Sequence, residues 1–235
     1  MKAPNEIPSP GQAPAIANSG LEAYSAKTPA YFTGARRDYV SELPLNPNAN
    51  ILEIGCGEGG TGLLALSEGR CKSYCGVEIC KEVAERAQPR ISQIVIGNVE
   101  ELELPWQPES FDALILSEVL EHLVDPWRVL RKLHPLLKPG ALVFASSPNV
   151  AHYKTITMLV RGQWALDDMG RMDRTHLRWF TPKTYKELFE SCGFTVNSLR
   201  ELLPLRPKAR LFLFFSLGHL RHLFMAQMDV RARRI

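Results

Sequence analysis

The stretch Glu53-Ile54-Gly55-Cys56-Gly57-Glu58-Gly59-Gly60 constrains this chain more than any other. It closes an apolar run, Ile51 to Ile54, and opens a helix-compatible run, Thr61 to Ser67, so it reads as strand, tight turn and helix. That is the entry to a nucleotide pocket in an α/β fold. Taken alone, Gly55-x-Gly57-x-x-Gly60 also fits a dinucleotide turn, in which helix-terminal N–H groups hold a pyrophosphate. A carboxylate at Glu53 would repel that anion and attract an ammonium group instead. The ligand expected at this turn is therefore amino-acid-like at one end and carries no phosphate.

Downstream, strand-like and helix-like runs alternate: Asn50–Ile54, Gly60–Glu68, Ser73–Glu78, Lys81–Gln88, Ser92–Ile96, Phe111–Ser117, Pro126–Leu137 and Ala141–Ser146. Strands separated by helices require right-handed crossovers, hence a doubly wound, mostly parallel sheet covered on both faces. Asp125-Pro126 supplies an N-cap followed by proline at the first helical position, and Lys138-Pro139-Gly140 marks the other end of that helix. A helical segment is expected at Tyr31–Leu43, a further helix at Pro182–Cys192 and a sixth strand at Phe194–Leu203. Near the C-terminus Ala226, Met228, Val230 and Ala232 alternate with polar residues, which predicts a seventh strand over Phe224–Arg233.

At 235 residues with 45% apolar content, one α/β domain accommodates the chain, here residues 21–235, preceded by a flexible tail, residues 1–20, rich in proline. The net charge is +3 with no long Lys/Arg run, so nucleic acid is not the expected partner. The N-terminus lacks a charged segment followed by an apolar one, and the longest apolar stretch, Leu211–Leu217, is too short to span a bilayer. A cytoplasmic location follows as an expectation, and five cysteines without a C-x-x-C pair read as reduced thiols, with no metal site. Charge is polarised, however. From Arg206 onward seven Lys or Arg face one acid. Within that segment the basic, Phe-rich excursion 205–222 is either a helix packed on the body or an amphipathic element giving peripheral membrane contact.

With these motifs in place, the sequence resembles the class I S-adenosylmethionine-dependent methyltransferases, whose first motif, acidic-x-Gly-x-Gly-x-Gly, is matched by Glu53, Gly55, Gly57 and Gly59. The likeness runs from about Tyr31 to Arg234, and the chain is similar to the small-molecule enzymes of bacterial glycan biosynthesis. It implies a Rossmann-like methyltransferase fold with seven strands, the last running antiparallel beside the fifth, and S-adenosyl-L-methionine as cofactor. Cys56 lies within the first motif, and the ammonium of that cofactor would face Glu53. Glu78, 23 residues after Gly55, would accept from the ribose hydroxyls, with Ile79 following it. Asn98 stands where relatives commonly carry Asp, and the Val99 backbone would meet the adenine. Ser117 and Glu118, with Val119, would flank the methionine part.

The same resemblance implies an acceptor pocket under an insertion, residues 149–181. Its dense run Asp173-Arg174-Thr175-His176-Leu177-Arg178-Trp179 is an unusual connector, and loops carry function disproportionately. If the acceptor is a hydroxyl on a small molecule or glycan, a histidine is the suitable base, with His176 the first candidate and His122 the second. Arg174 or Arg178 would hold an anionic part of the acceptor; the alternative is that Asp173 and Arg178 pair to order the loop. Tyr153, Trp164 and Trp179 would stack on a ring or form the core of the lid. A quinone-type or other phenolic acceptor is the alternative, and a non-catalytic S-adenosylmethionine-binding or interaction module is the third reading.

Overall fold

The computed structural model describes residue 27, residues 29–201 and residues 219–235. The proline-rich tail and most of the 205–222 excursion lie outside the described residues. Two short helices, α1 (Pro29–Phe32) and α2 (Arg37–Glu42), precede the alternating body: β1 (Asn50–Ile54), α3 (Gly60–Ser67), β2 (Ser73–Glu78), α4 (Lys81–Ala87), β3 (Gln93–Ile96), β4 (Phe111–Ser117), α5 (Pro126–Leu133), β5 (Leu137–Pro148), α6 (Tyr153–Val160), α7 (Pro182–Glu190), β6 (Phe194–Glu201) and β7 (Gln227–Arg234). They build one seven-stranded sheet in the order β3-β2-β1-β4-β5-β7-β6. Every pairing from β3 to β5 is parallel, and β7 runs antiparallel to both β5 and β6.

Strand alternation divides the core. Leu52, Leu114, Leu116, Val143 and Ala145 face one side, where α5 and α7 supply Val129, Leu130, Leu133, Tyr185 and Phe189. Their neighbours Ile51, Ala113, Ile115 and Phe144 face the other, against Tyr39 and Val40 of α2 and Ala65 of α3. Each fully buried aliphatic side chain contributes roughly 1.5–3 kcal/mol. Because these strands are covered on both faces, they read as continuous apolar runs in the sequence.

Several boundaries differ from expectation for identifiable reasons. The N-terminal helical segment is broken between Phe32 and Arg37, because the Phe32 carbonyl accepts from the Glu58 amide at 3.1 Å and pins the chain across the glycine turn. The helix begun at Pro126 stops at Leu133; Pro135 converts the next residues into a 3₁₀ turn, His134–Leu136. Lys138-Pro139-Gly140 then belongs to β5. The seventh strand starts at Gln227, after a 3₁₀ turn at Arg221–Leu223. No helix among the described residues is long and apolar enough to cross a membrane.

Candidate functional site

The chain runs outward from β1 to β3 and returns to β4, so the crevice at the carboxyl ends of β1 and β4 is the switch point where open α/β sheets hold ligands. Gly55, Gly57 and Gly59 all adopt positive φ there, at 69°, 54° and 75°. A Cβ on Gly57 would stand 2.6 Å from the Phe32 carbonyl oxygen, and one on Gly55 would stand 2.8 Å from Val119 Cγ2. The turn is thus bare backbone threaded between β4's exit and the N-terminal segment, with Cys56 buried inside it. At the end of β2 the Glu78 carboxylate is fixed by two amides, accepting from Gly57 N and Cys80 N, each at 3.0 Å. Burial pushes its pKa up, and those amide hydrogen bonds hold it partly down.

Glu53 departs from expectation. It is 3% exposed and accepts from the Tyr74 hydroxyl at 2.8 Å, with Thr61 as a second donor, so its carboxylate is engaged inside the fold and any effect on a ligand ammonium is indirect. Desolvation pushes its pKa up to about 7. Thr61 in turn accepts from the Arg36 amide at 3.2 Å, which ties this buried acid to the N-terminal segment. At the end of β3 Asn98 turns onto its own loop: its Oδ1 accepts from Glu100 N at 3.0 Å and its amide donates to Glu101 at 3.2 Å. Val99 is buried beside it and Ile79 is half-buried.

Arg36 is the residue that sequence reasoning missed. Its guanidinium donates to Ser117 Oγ at 2.6 Å and Ser146 Oγ at 2.9 Å, pairs with both oxygens of Asp38, and lies 3.5 Å over the Tyr39 ring. A cation thereby stands at the carboxyl ends of β4 and β5. No motif marks it, since it sits in an ordinary Arg36-Arg37 pair. Beside it Glu118 takes positive φ, 54°, with Oε1 buried and, among the described residues, without a hydrogen-bond partner.

The following 3₁₀ turn, Leu120–His122, places His122 on a helical turn and joins the cleft to the insertion. The Glu121 carbonyl accepts from the amides of Leu177 and Arg178 at 2.8 and 2.9 Å, which docks His176 against His122 with ring centroids 4.7 Å apart. His122 Nδ1 lies 3.2 Å from the Thr175 carbonyl oxygen, and His176 Nδ1 lies 3.3 Å from that of Arg171. Both imidazoles therefore carry hydrogen at Nδ1, a tautomer assigned from the network. Burial holds both in the neutral form, His122 down to about 3 and His176 lowered in the same direction. Glu121, His122 and His176 bring their ligand atoms within 4.8 Å of one another.

Other lid residues take different partners from those expected. Asp173 does not pair with Arg178; it accepts from Lys27 at 2.5 Å and from Thr175, and its carboxylate is held below the usual range by Lys27 and Thr175 against the burial that raises it. Arg178 donates to the Val124 carbonyl, and Arg174 forms an exposed pair with Asp168. Trp164 and Trp179 meet edge to face at 5.0 Å, with Trp179 5.5 Å from His176. Tyr153 is exposed on α6, next to His152 and Phe224, and away from that pair.

A methyltransferase-domain family model matches residues 30–199. The chain belongs to the class I S-adenosylmethionine-dependent methyltransferases. It is 32% identical over 143 residues to a ubiquinone biosynthesis O-methyltransferase of Xanthomonas campestris pv. campestris, covering 57% of this chain and 58% of that relative. Over 104 residues it is 31% identical to the 27-O-demethylrifamycin SV methyltransferase of Amycolatopsis mediterranei, covering 42% and 38%. Among solved structures, a methyltransferase from Methanosarcina mazei superposes with a TM-score of 0.62 at 18% identity, over 86% of this chain and 99% of that one. S-adenosylmethionine is the cofactor of this methyltransferase family, and the residues fit it. The positive-φ glycines leave the turn as bare backbone, Glu78 is immobilised at the end of β2, and at the exit of β4 a buried Glu118 oxygen has no hydrogen-bond partner among the described residues.

Proposed function

We propose that this methyltransferase alkylates a hydroxyl of a small-molecule or glycan acceptor, and that the acceptor proton leaves at the His122–His176 pair. The observation that carries this reading is the pair itself: two neutral imidazoles, 4.7 Å apart, one of them on the 3₁₀ turn that follows β4. Bound S-adenosylmethionine supplies an electrophilic methyl group on its sulfonium. What the chain must add is alignment, which in model reactions is worth up to roughly 7–11 kcal/mol, and a destination for the proton. The glycine turn and Glu78 would orient the nucleoside, with Ile79, Asn98 and Val99 bordering the base. His176 would accept the hydroxyl proton at Nε2 while Nδ1 stays bonded to the Arg171 carbonyl.

A quinone-type or other phenolic acceptor is the second reading, supported by the ubiquinone-biosynthesis O-methyltransferase among the relatives and by the Trp164–Trp179 pair as a wall for a flat ring. Arg174 and Asp173 would border the same pocket, with Arg178 acting through the loop it anchors, whereas Tyr153 lies outside it. Turnover with a catechol-type phenol and with sugar hydroxyls separates the two readings. For either, His176→Ala should lower turnover roughly 10²–10⁴-fold and leave S-adenosylhomocysteine affinity nearly unchanged in calorimetry. Turnover undiminished in both His176→Ala and His122→Ala would remove the proton-transfer role.

A further inference from the structure

Glu121 is the least explained ionisable group in the molecule. It is 1% exposed, and among the described residues neither carboxylate oxygen has a hydrogen-bond donor in bonding geometry, although the Ser147 hydroxyl lies close by. A buried carboxylate left without donors is costly, and proteins retain such a group when a proton or a cation completes it. Two features favour a cation. The donors grouped with Glu121 are imidazoles, whose presence selects first-row transition ions over Mg²⁺ or Ca²⁺. Both rings also give their Nδ1 hydrogen to a main-chain carbonyl, Thr175 for His122 and Arg171 for His176, which is the outer-shell arrangement that fixes a metal-binding tautomer.

We propose that Glu121, His122 and His176 together bind one divalent first-row ion, with Zn²⁺ the best match to two imidazoles and one carboxylate. The expectation of no metal rested on the cysteines and did not weigh a histidine on the turn meeting a histidine on the insertion. Tetrahedral ligands at about 2.1 Å stand about 3.4 Å apart, so the donors, now within 4.8 Å, close by side-chain rotation as the ion enters. Three protein ligands leave a position open, the hallmark of a catalytic rather than a structural site. Resting on the hydroxyl-acceptor reading above, the proposal gives that position to the acceptor oxygen. With the ion bound, the imidazoles act as ligands and no longer as the base, so the coordinated hydroxyl loses its proton to water, an oxygen lone pair forms the bond to the methyl carbon, and the S–CH₃ bond breaks with its electrons kept by sulfur. Products are the methyl ether and S-adenosylhomocysteine, and the ion's oxidation state does not change.

The test uses the full chain, stripped with EDTA and dialysed, then titrated with Co²⁺ by visible absorption and with Zn²⁺ by chelator competition. One ion per chain is expected, with affinity falling at least about 10-fold in Glu121→Gln and more in His122→Ala and His176→Ala. His176→Gln, on the insertion, serves if His122→Ala fails to fold by circular dichroism. No Co²⁺ spectrum from the intact chain, equal binding by the histidine variants, or a thiolate-to-Co²⁺ charge-transfer band assigning the ion to cysteine would each overturn the proposal. S-adenosylhomocysteine binding, measured in the same samples, separates the two readings. If it persists while no metal binds, only the metal reading fails; if it is absent while metal binds, only the methyltransferase reading fails.

Discussion

Glu53 and Glu78 occupy positions that the sequence marks equally clearly, yet the fold uses them differently. Glu53 is engaged by Tyr74 and Thr61, and its pKa stands at about 7 against an ordinary 4.5. A raised folded-state pKa means that stability is fully present below the unfolded value and lost as pH climbs through the folded one. Between pH 4.5 and 7 the unfolded chain sheds a proton that the folded chain keeps, at a cost of about 3 kcal/mol across that window. Chemical denaturation of wild type should therefore show a steeper fall over this range than Glu53→Gln, which keeps only the contribution of other buried carboxyls such as Glu78; parallel curves for the two proteins would refute the assignment. Glu78, by contrast, spends one oxygen on each of two amides at the site. Glu78→Ala should weaken S-adenosylhomocysteine by roughly 1.5–3 kcal/mol in calorimetry, and unchanged affinity in a folded variant would exclude it from the ribose subsite. Arg36 was invisible for the opposite reason, because its role depends on β4 and β5 arriving from 81 and 110 residues away.

At the scale of elements, local chemistry predicted what is locally determined. Asp125 caps α5 by accepting from Arg128 N at 2.9 Å, and Thr181 forms a capping box with Thr184 on α7, so those starts were legible. Strand positions followed from apolar runs that two-sided burial requires. Where tertiary contacts decide, the reading slipped: the break between α1 and α2 exists because Phe32 must meet the glycine turn, and nothing near Phe32 announces it. That contact yields a prediction. Gly57→Ala places a methyl 2.6 Å from the Phe32 carbonyl on a backbone at φ 54°, so α1 or the turn must move. Loss of stability of about 1 kcal/mol or more, together with weaker S-adenosylhomocysteine binding, is expected in melting and calorimetry. Wild-type behaviour on both counts would mean that the N-terminal segment does not cover the turn in solution. The insertion stood out in the sequence for its mixture of charge and aromatic residues, but its docking onto the Glu121 carbonyl did not, since backbone acceptors leave no mark in a sequence.

For the molecule as a whole, the first and last elements are joined by one buried carboxylate. Asp229, in β7 and 1% exposed, receives Arg231 at 2.7 Å, Arg200 of β6 at 3.1 Å and Arg36 at 3.6 Å, while Glu42 of α2 also bonds Arg231 at 2.7 Å. Arg36 carries the connection on to Ser117 and Ser146 at the cleft. The C-terminal excess of positive charge, seen in the sequence as polarity without a purpose, is thus partly consumed inside the fold. Removing one partner from a buried ionic group leaves the others uncompensated, typically at about 3–5 kcal/mol. Asp229→Ala should reduce unfolding free energy by about that amount, with an unchanged denaturant slope, because three arginines then lose their shared anion. Arg36→Ala removes only one cation and should cost less. It should, however, also perturb cofactor or acceptor affinity, because Arg36 alone of the three arginines reaches the ends of β4 and β5. Equal destabilisation by both variants with no change in ligand affinity would make Arg36 a purely structural clamp, whereas a binding defect confined to Arg36→Ala would place the N-terminal segment in the working site.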